Sequence, residues 1–185
     1  MKRSLTTGLI VLTLFLLITD SGCQRSQPPI TLTVLHWNDF HSHNLPFSAV
    51  LHGDTVNVGG AAHLAALIDS LRLLSPNPVV LHAGDEFMGT PISTITKGKS
   101  QIEVLNLFQL DAFALGNHEF DYGWETLKTR LAEAEFPVLC ANVYDETTGK
   151  PIALTSIILK RSGVRIGIIG VNTRHLDSVV LEESL

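Results

Sequence analysis

The chain has 185 residues, room for one domain with a real core, and a net charge of −5 without a basic stripe, which excludes nucleic acid as the expected partner. It is 45% hydrophobic, a figure inflated by the N-terminus. Eight histidines is a generous count for the length, and several stand beside Asp or Asn, a first hint of metal chemistry.

The chain begins with a targeting pattern. Lys2 and Arg3 form a basic start, Leu5 to Ile18 is almost wholly apolar, and Ser21-Gly22-Cys23 follows. Residues 1–22 read as an export signal, too short for an ordinary membrane span. The pattern resembles a bacterial lipoprotein signal, in which the cysteine is acylated and becomes the new N-terminus. That implies a lipid anchor on Cys23, a tether over residues 23–30, and a place in the cell envelope, either periplasmic or anchored to the membrane. Asp20 departs from the pattern, since such signals usually carry Leu there, and an ordinary cleaved signal or an uncleaved anchor is the alternative. Cys140 is the one other cysteine, so no disulfide forms within the domain of residues 31–185, and Cys140 reads as a small buried hydrophobe.

From Ile30 onward, strand-like runs alternate with helical patterns. "ITLTVLHW" is rich in β-formers. Gly59-Gly60 opens a helix from Ala61 to Leu74 with Leu64, Ile68 and Leu71 on one face, broken by Ser75-Pro76-Asn77-Pro78. "VVLHAGD" is a second strand, Ile102, Leu105 and Phe108 mark a second helix, and "DAFAL" is a third strand. Trp124, Leu127 and Leu131 mark a third helix and "PVLCANV" a fourth strand. The last part, "ALTSIILKRSGVRIGIIGV", predicts a hairpin turning at Arg161-Ser162-Gly163. The alternation argues an α/β layered domain with one mostly parallel sheet and a start on a second.

Three predicted strands end in the same chemistry. "VLHWNDFH" ends on Asp39 and His41, "VVLHAGDE" on Asp85, and "FALGNHEFD" on Asn117 and His118. The carboxyl ends of parallel strands share one edge, where ligands bind. On extended backbone Asp39 and His41, two apart, face the same way and reach one cation. Oxygen and imidazole donors without thiolates suit Zn²⁺, Mn²⁺ or Fe. A carboxylate shared between two ions marks two-metal hydrolytic sites, and Asp85 is the natural bridge.

Asp39-Phe40-His41, Gly84-Asp85 and Gly116-Asn117-His118-Glu119-Phe120-Asp121, in that order, resemble the motifs of the calcineurin-like metallophosphoesterases. The flanks "LHWNDFHSH", "GGAAHLAALI" and "DAFALGNHEFDYG" are similar to the bacterial 5′-nucleotidase family, over about Thr31 to Asn172. The resemblance implies an α-β-β-α layered sandwich and a dinuclear site holding two divalent cations (Zn, Mn or Fe). In it Asp39 and His41 bind one ion, Asp85 bridges and Asn117 binds the second. His118 contacts the phosphoryl group and assists a hydroxide activated by the cations, and Asp121 orients His118. The implied activity is hydrolysis of phosphomonoesters, nucleotides above all, outside the cytoplasm.

Other polar residues draw plainer expectations. Asp121 could instead cap the helix carrying Trp124, and Glu119 reads as a solvated or locally bonded carboxylate. His36 and His82 read as core groups or supports for the ligands. His43 and Asn44 could line the cleft, His63 reads as surface, and His52 and His175 have no evident partner. Family members carry further histidines downstream that complete both metal shells. Their motifs do not occur here, so the chain is expected to hold the first part of a catalytic domain, with little turnover alone. The alternatives are a related cyclic phosphodiesterase or thiosulfohydrolase, or a non-catalytic envelope lipoprotein with a vestigial metal-binding domain.

Overall fold

The computed structural model describes residues 28–181. The expected export signal over residues 1–22, the expected lipid site Cys23 and most of the expected tether lie outside the described residues. Strand β1 (Thr33–Trp37) leads to a ribbon of β2 (Phe47–Leu51) and β3 (Asp54–Val58), then helix α1 (Ala61–Leu74) and β4 (Pro78–His82). Helices α2 (Pro91–Thr96) and α3 (Lys99–Leu107) precede β5 (Ala112–Ala114). A 3-10 turn (His118–Phe120), helix α4 (Trp124–Glu133) and β6 (Val138–Leu139) follow. A small ribbon of β7 (Tyr144–Asp145) and β8 (Lys150–Pro151), the hairpin β9 (Ser156–Arg161)–β10 (Val164–Ile169) and the short helix α5 (Leu176–Val179) complete the described elements.

Four strands form the parallel sheet, in the order β1–β4–β5–β6. Its register places Trp37, His82, Phe113 and Val138 in one row across the sheet. The row is packed as well as aligned. The Trp37 and His82 rings lie 4.9 Å apart edge to face, and His82 and Phe113 are 4.9 Å apart on the next strand. The chain leaves β1, β4 and β5 just beyond this row, so their following loops emerge side by side.

Helix periodicity decides what covers the sheet. Ile68 of α1, Ile102 and Leu105 of α3 and Leu127 of α4 join Phe87, Phe108, Phe113 and Phe136 in one buried cluster. The helix predicted from Ala61 to Leu74 has those bounds. It ends where Ser75 turns to extended backbone ahead of Pro76, and Arg72 in its last turn donates to the carbonyls of Phe108 and Gln109. Cys140 is fully buried in the same core, and burial pushes its thiol up, as expected of a packing residue.

The β9–β10 hairpin turns at Ser162 (φ 46°) and Gly163 (φ 82°), as the sequence predicts. Arg161, at the end of β9, anchors it by pairing with Asp111 and donating to the Pro78 carbonyl at 3.2 Å. The β2–β3 ribbon was not anticipated. Its signal was two β-rich runs around His52-Gly53, both with positive φ, and histidine hides a turn usually written with Asn or Asp. His36 corrects the core reading made for it. Among the described residues β1 is an edge strand with one uncovered face, and Val34 and His36 on that face are exposed.

Leu127 is fully buried at the centre of this core. Leu127→Ala should cost about 2–5 kcal/mol of stability, read as a lower urea midpoint with little change in slope.

Candidate metal centre

The loops after β1 and β4 are laced by backbone. The Asp39 N–H donates to the Gly84 carbonyl and the His41 N–H to the Asp85 carbonyl, each at 3.1 Å. The conformation is not the extended one expected. Asp39 (φ 51°), His41 (φ 50°), Ser42 (φ 52°) and Asp85 (φ 62°) all occupy the left-handed region. β1 has ended at Trp37, so strand alternation no longer applies to Asp39 and His41. Left-handed non-glycine residues carry local strain and concentrate at functional sites. Asp39 and His41 still come together, with Asp39 Oδ1 3.9 Å from His41 Nε2.

The loop after β5 closes the group. His118 donates its backbone N–H to Asp85 Oδ1 at 3.1 Å. One ligand atom from each of His41, Asp85 and His118 then lies within 4.8 Å of the other two, and the two imidazoles meet edge to face at 4.9 Å. His41 Nδ1 is 3.0 Å from the Met88 carbonyl, so it donates there and Nε2 is the atom left to offer. His118 Nδ1 is 2.6 Å from Asp121 Oδ2, which leaves Nε2 in the same way. The site residues read from the sequence are thus distributed unevenly. His41, Asp85 and His118 form the compact group, Asp39 stands at its exposed side, and Asn117 opens the 3-10 turn with its carbonyl accepting from Phe120. Asp121 does not cap α4, whose N-cap is Gly123, and it is bonded to His118 instead.

These donors suit a borderline or hard divalent cation. They are imidazole and carboxylate without thiolate, and both rings are held by a partner on the far nitrogen, as metal-binding histidines usually are. Burial pulls the His118 imidazolium down. The hydrogen bond and charge of Asp121, with Asp85 and Glu119 behind, outweigh that and leave its pKa above the ordinary value.

A family model for the calcineurin-like phosphoesterases matches residues 32–179. The chain belongs to the calcineurin-like phosphoesterase family. It is 43% identical over 161 residues to a probable 5′-nucleotidase of Treponema pallidum, covering 82% of this chain and 27% of that protein. Among solved structures, the NAD nucleotidase of Haemophilus influenzae superposes with a TM-score of 0.73 at 34% identity, over 82% of this chain and 28% of that one. A 5′-nucleotidase precursor from Thermus thermophilus gives 0.73 at 37% identity, over 79% and 29%. The fold is therefore the layered metallophosphoesterase fold, and the chain spans less than a third of the length of each of these relatives.

Beneath the rim, the chain carries a buried polar bed that the sequence did not announce. Glu119 is 1% exposed, so of the two expectations for it the solvated one fails and the locally bonded one holds, with longer-range partners added. Its Oε2 accepts from the amides of Gly116 (2.7 Å) and Asp85 (3.1 Å), and its Oε1 from that of Glu86 (2.7 Å). Burial pushes its carboxyl up, while those three donors pull it back. Glu86, fully buried, faces His82 Nε2 at 3.1 Å and accepts from Gln101 at 2.6 Å, and Gln101 pairs in turn with Asn44. Burial drives this pair toward neutrality, with Glu86 raised to about 8 and His82 lowered to about 4. The Gly84 amide donates to His82 Nδ1 at 2.9 Å, so the neutral ring carries its proton on Nε2. Asn172, in the loop after β10, adds a bond from its side chain to the Gly116 carbonyl at 2.9 Å.

His82 gives a signed prediction. An unfolded His82 protonates near 6.5, the folded one only near 4, so its share of stability is complete above 6.5 and is lost as pH falls towards 4. Wild-type stability should therefore fall more steeply with acid over that window than His82→Gln, by up to about 1.4 kcal/mol per pH unit, measured by urea unfolding.

Proposed function

We propose that the chain carries the strand-end half of a hydrolytic site for phosphomonoesters, nucleotides being the substrate class, working outside the cytoplasm. The relatives include 5′-nucleotidases and an NAD nucleotidase, which supports the substrate class. The observation that carries the reading is the convergence of His41, Asp85 and His118 from three loops, with both rings oriented from behind.

In this reading Asp39 and His41 hold one divalent cation, Asp85 is shared, and Asn117 holds the second. When bound, such ions supply Lewis acidity and lower the pKa of water enough for attack at neutral pH. The chain's own residues do the rest. His118 presents Nε2 to the phosphoryl group and gives a proton to the leaving oxygen. The hydrogen bond and charge of Asp121 favour the protonated ring. Asp121 holds His118 by Nδ1, fixing the ring and favouring its charged form. The exposed loop residues Asn38 and His43, with His63 exposed in the first turn of α1, leave the rim accessible to a charged substrate.

Four donors do not fill two coordination shells of four or more. These residues alone therefore bind metal weakly and turn over little. With Mn²⁺ and a nucleoside monophosphate, whose alkoxide leaving group needs a proton, the purified chain should show slight phosphate release that disappears in Asp85→Asn and drops about 10²–10⁴-fold in His118→Asn. Robust turnover unaffected by Asp85→Asn would contradict the assignment.

A further inference from the structure

Glu119 is a fully buried carboxylate with no part in the proposed chemistry, and its partners are all backbone. Burying such a group is expensive unless it is fully bonded. Here Gly84 (φ 88°) and Asp85 (φ 62°) turn the chain so that the successive amides of Asp85 and Glu86 converge on one anion. Such an arrangement is a backbone nest, and nests elsewhere receive free anions. In this chain the anion is the Glu119 side chain, and the Gly116 amide joins from the other loop. Two neighbouring residues thus grip Asp85 at both ends. The His118 amide holds its carboxylate, and the Glu119 carboxylate holds its amide.

We propose that Glu119 is a positioning residue that locks Asp85 in its left-handed conformation and so aims the Asp85 carboxylate into the metal centre. The inference rests on the proposed reading of Asp85 as a metal ligand, with His41 beside it and His118 facing the substrate. Glu119→Gln keeps the size but turns one oxygen into a donor, which then opposes a backbone N–H. Glu119→Asp keeps the charge but is one methylene too short to reach both loops. A role in stability alone would leave the ligands aimed as before in any variant that folds.

The test is amide NMR on the full chain, titrated with Mn²⁺, for wild type, Glu119→Gln, Glu119→Asp and Asp85→Asn. In the metal-free wild type, the Asp85, Glu86 and Gly116 amides should exchange as slowly as the sheet, although they lie in rim loops. Fast exchange there overturns the lock, and needs no variant to fold. In the Glu119 variants those three amides should lose protection while core amides keep their shifts. The Mn²⁺ concentration that half-broadens the His41 and His118 signals should rise about 10–100-fold, the usual consequence of losing a group that orients a ligand. Unchanged half-broadening in a folded Glu119→Gln overturns the proposal. Equal broadening of wild type and Asp85→Asn overturns the metal reading instead, while the exchange result still decides whether Glu119 holds the loop.

Discussion

The loops leaving β4 and β5 touch backbone to backbone, and the rest of the site depends on that contact. A side chain on Gly84 would overlap the backbone nitrogen of Gly116, and one on Gly116 would overlap the Asp85 carboxylate. Only hydrogen fits at either position. The contact lets Asp85 lie against the turn that carries Asn117 and His118, and it lets one carboxylate from that turn reach three amides. The loop after β1 then ladders onto the loop after β4. Three stretches distant in sequence become one rim because two glycines allow two main chains to meet.

That rim concentrates negative charge, and the fold manages it by segregation. Asp39 and Asp85 stand at the solvent side, where a cation can offset them. Glu119 lies underneath, neutralised in effect by backbone dipoles, and Glu86 lies deeper still, beside a histidine that burial keeps neutral. At the opposite, amino-terminal end of the central strands the charge is compensated differently. Asp111 accepts from the Val80 amide and pairs with Arg161, joining the β9–β10 hairpin to β4. The chain thus holds its sheet with a conventional ion pair at one end and with carboxylate-to-amide bonds at the other, where a basic side chain would compete for the cation's place.

Much of this was legible in the sequence, for physical reasons. Helix α1 showed its 3.6-residue apolar period and its Ser-Pro stop. The parallel strands showed as short apolar runs, and their polar ends named Asp39, His41, Asp85, Asn117 and His118. What was hidden depended on partners far along the chain. Nothing local distinguishes Glu119 from a solvated glutamate, because its three bonds are to backbone, whose identity no residue letter records. Gln101 sits on α3 and Asn44 after β1, and their pairing is a product of packing. Asp39 and His41 misled in a subtler way. Two-residue spacing suggests a strand, but β1 stops at Trp37, and the residues converge through left-handed turns. His36 shows the converse, since a histidine inside a strand faces solvent when it falls on a face that nothing covers.

The central claim is that His41, Asp85 and His118 surround one place built for a cation. Anomalous diffraction from crystals of the chain grown with Mn²⁺, recorded with X-rays above the manganese absorption edge, tests it most directly. The account predicts a peak in contact with the Asp85 carboxylate and the His41 ring. A peak bound only elsewhere on the molecule, or an empty centre at saturating Mn²⁺, would contradict it.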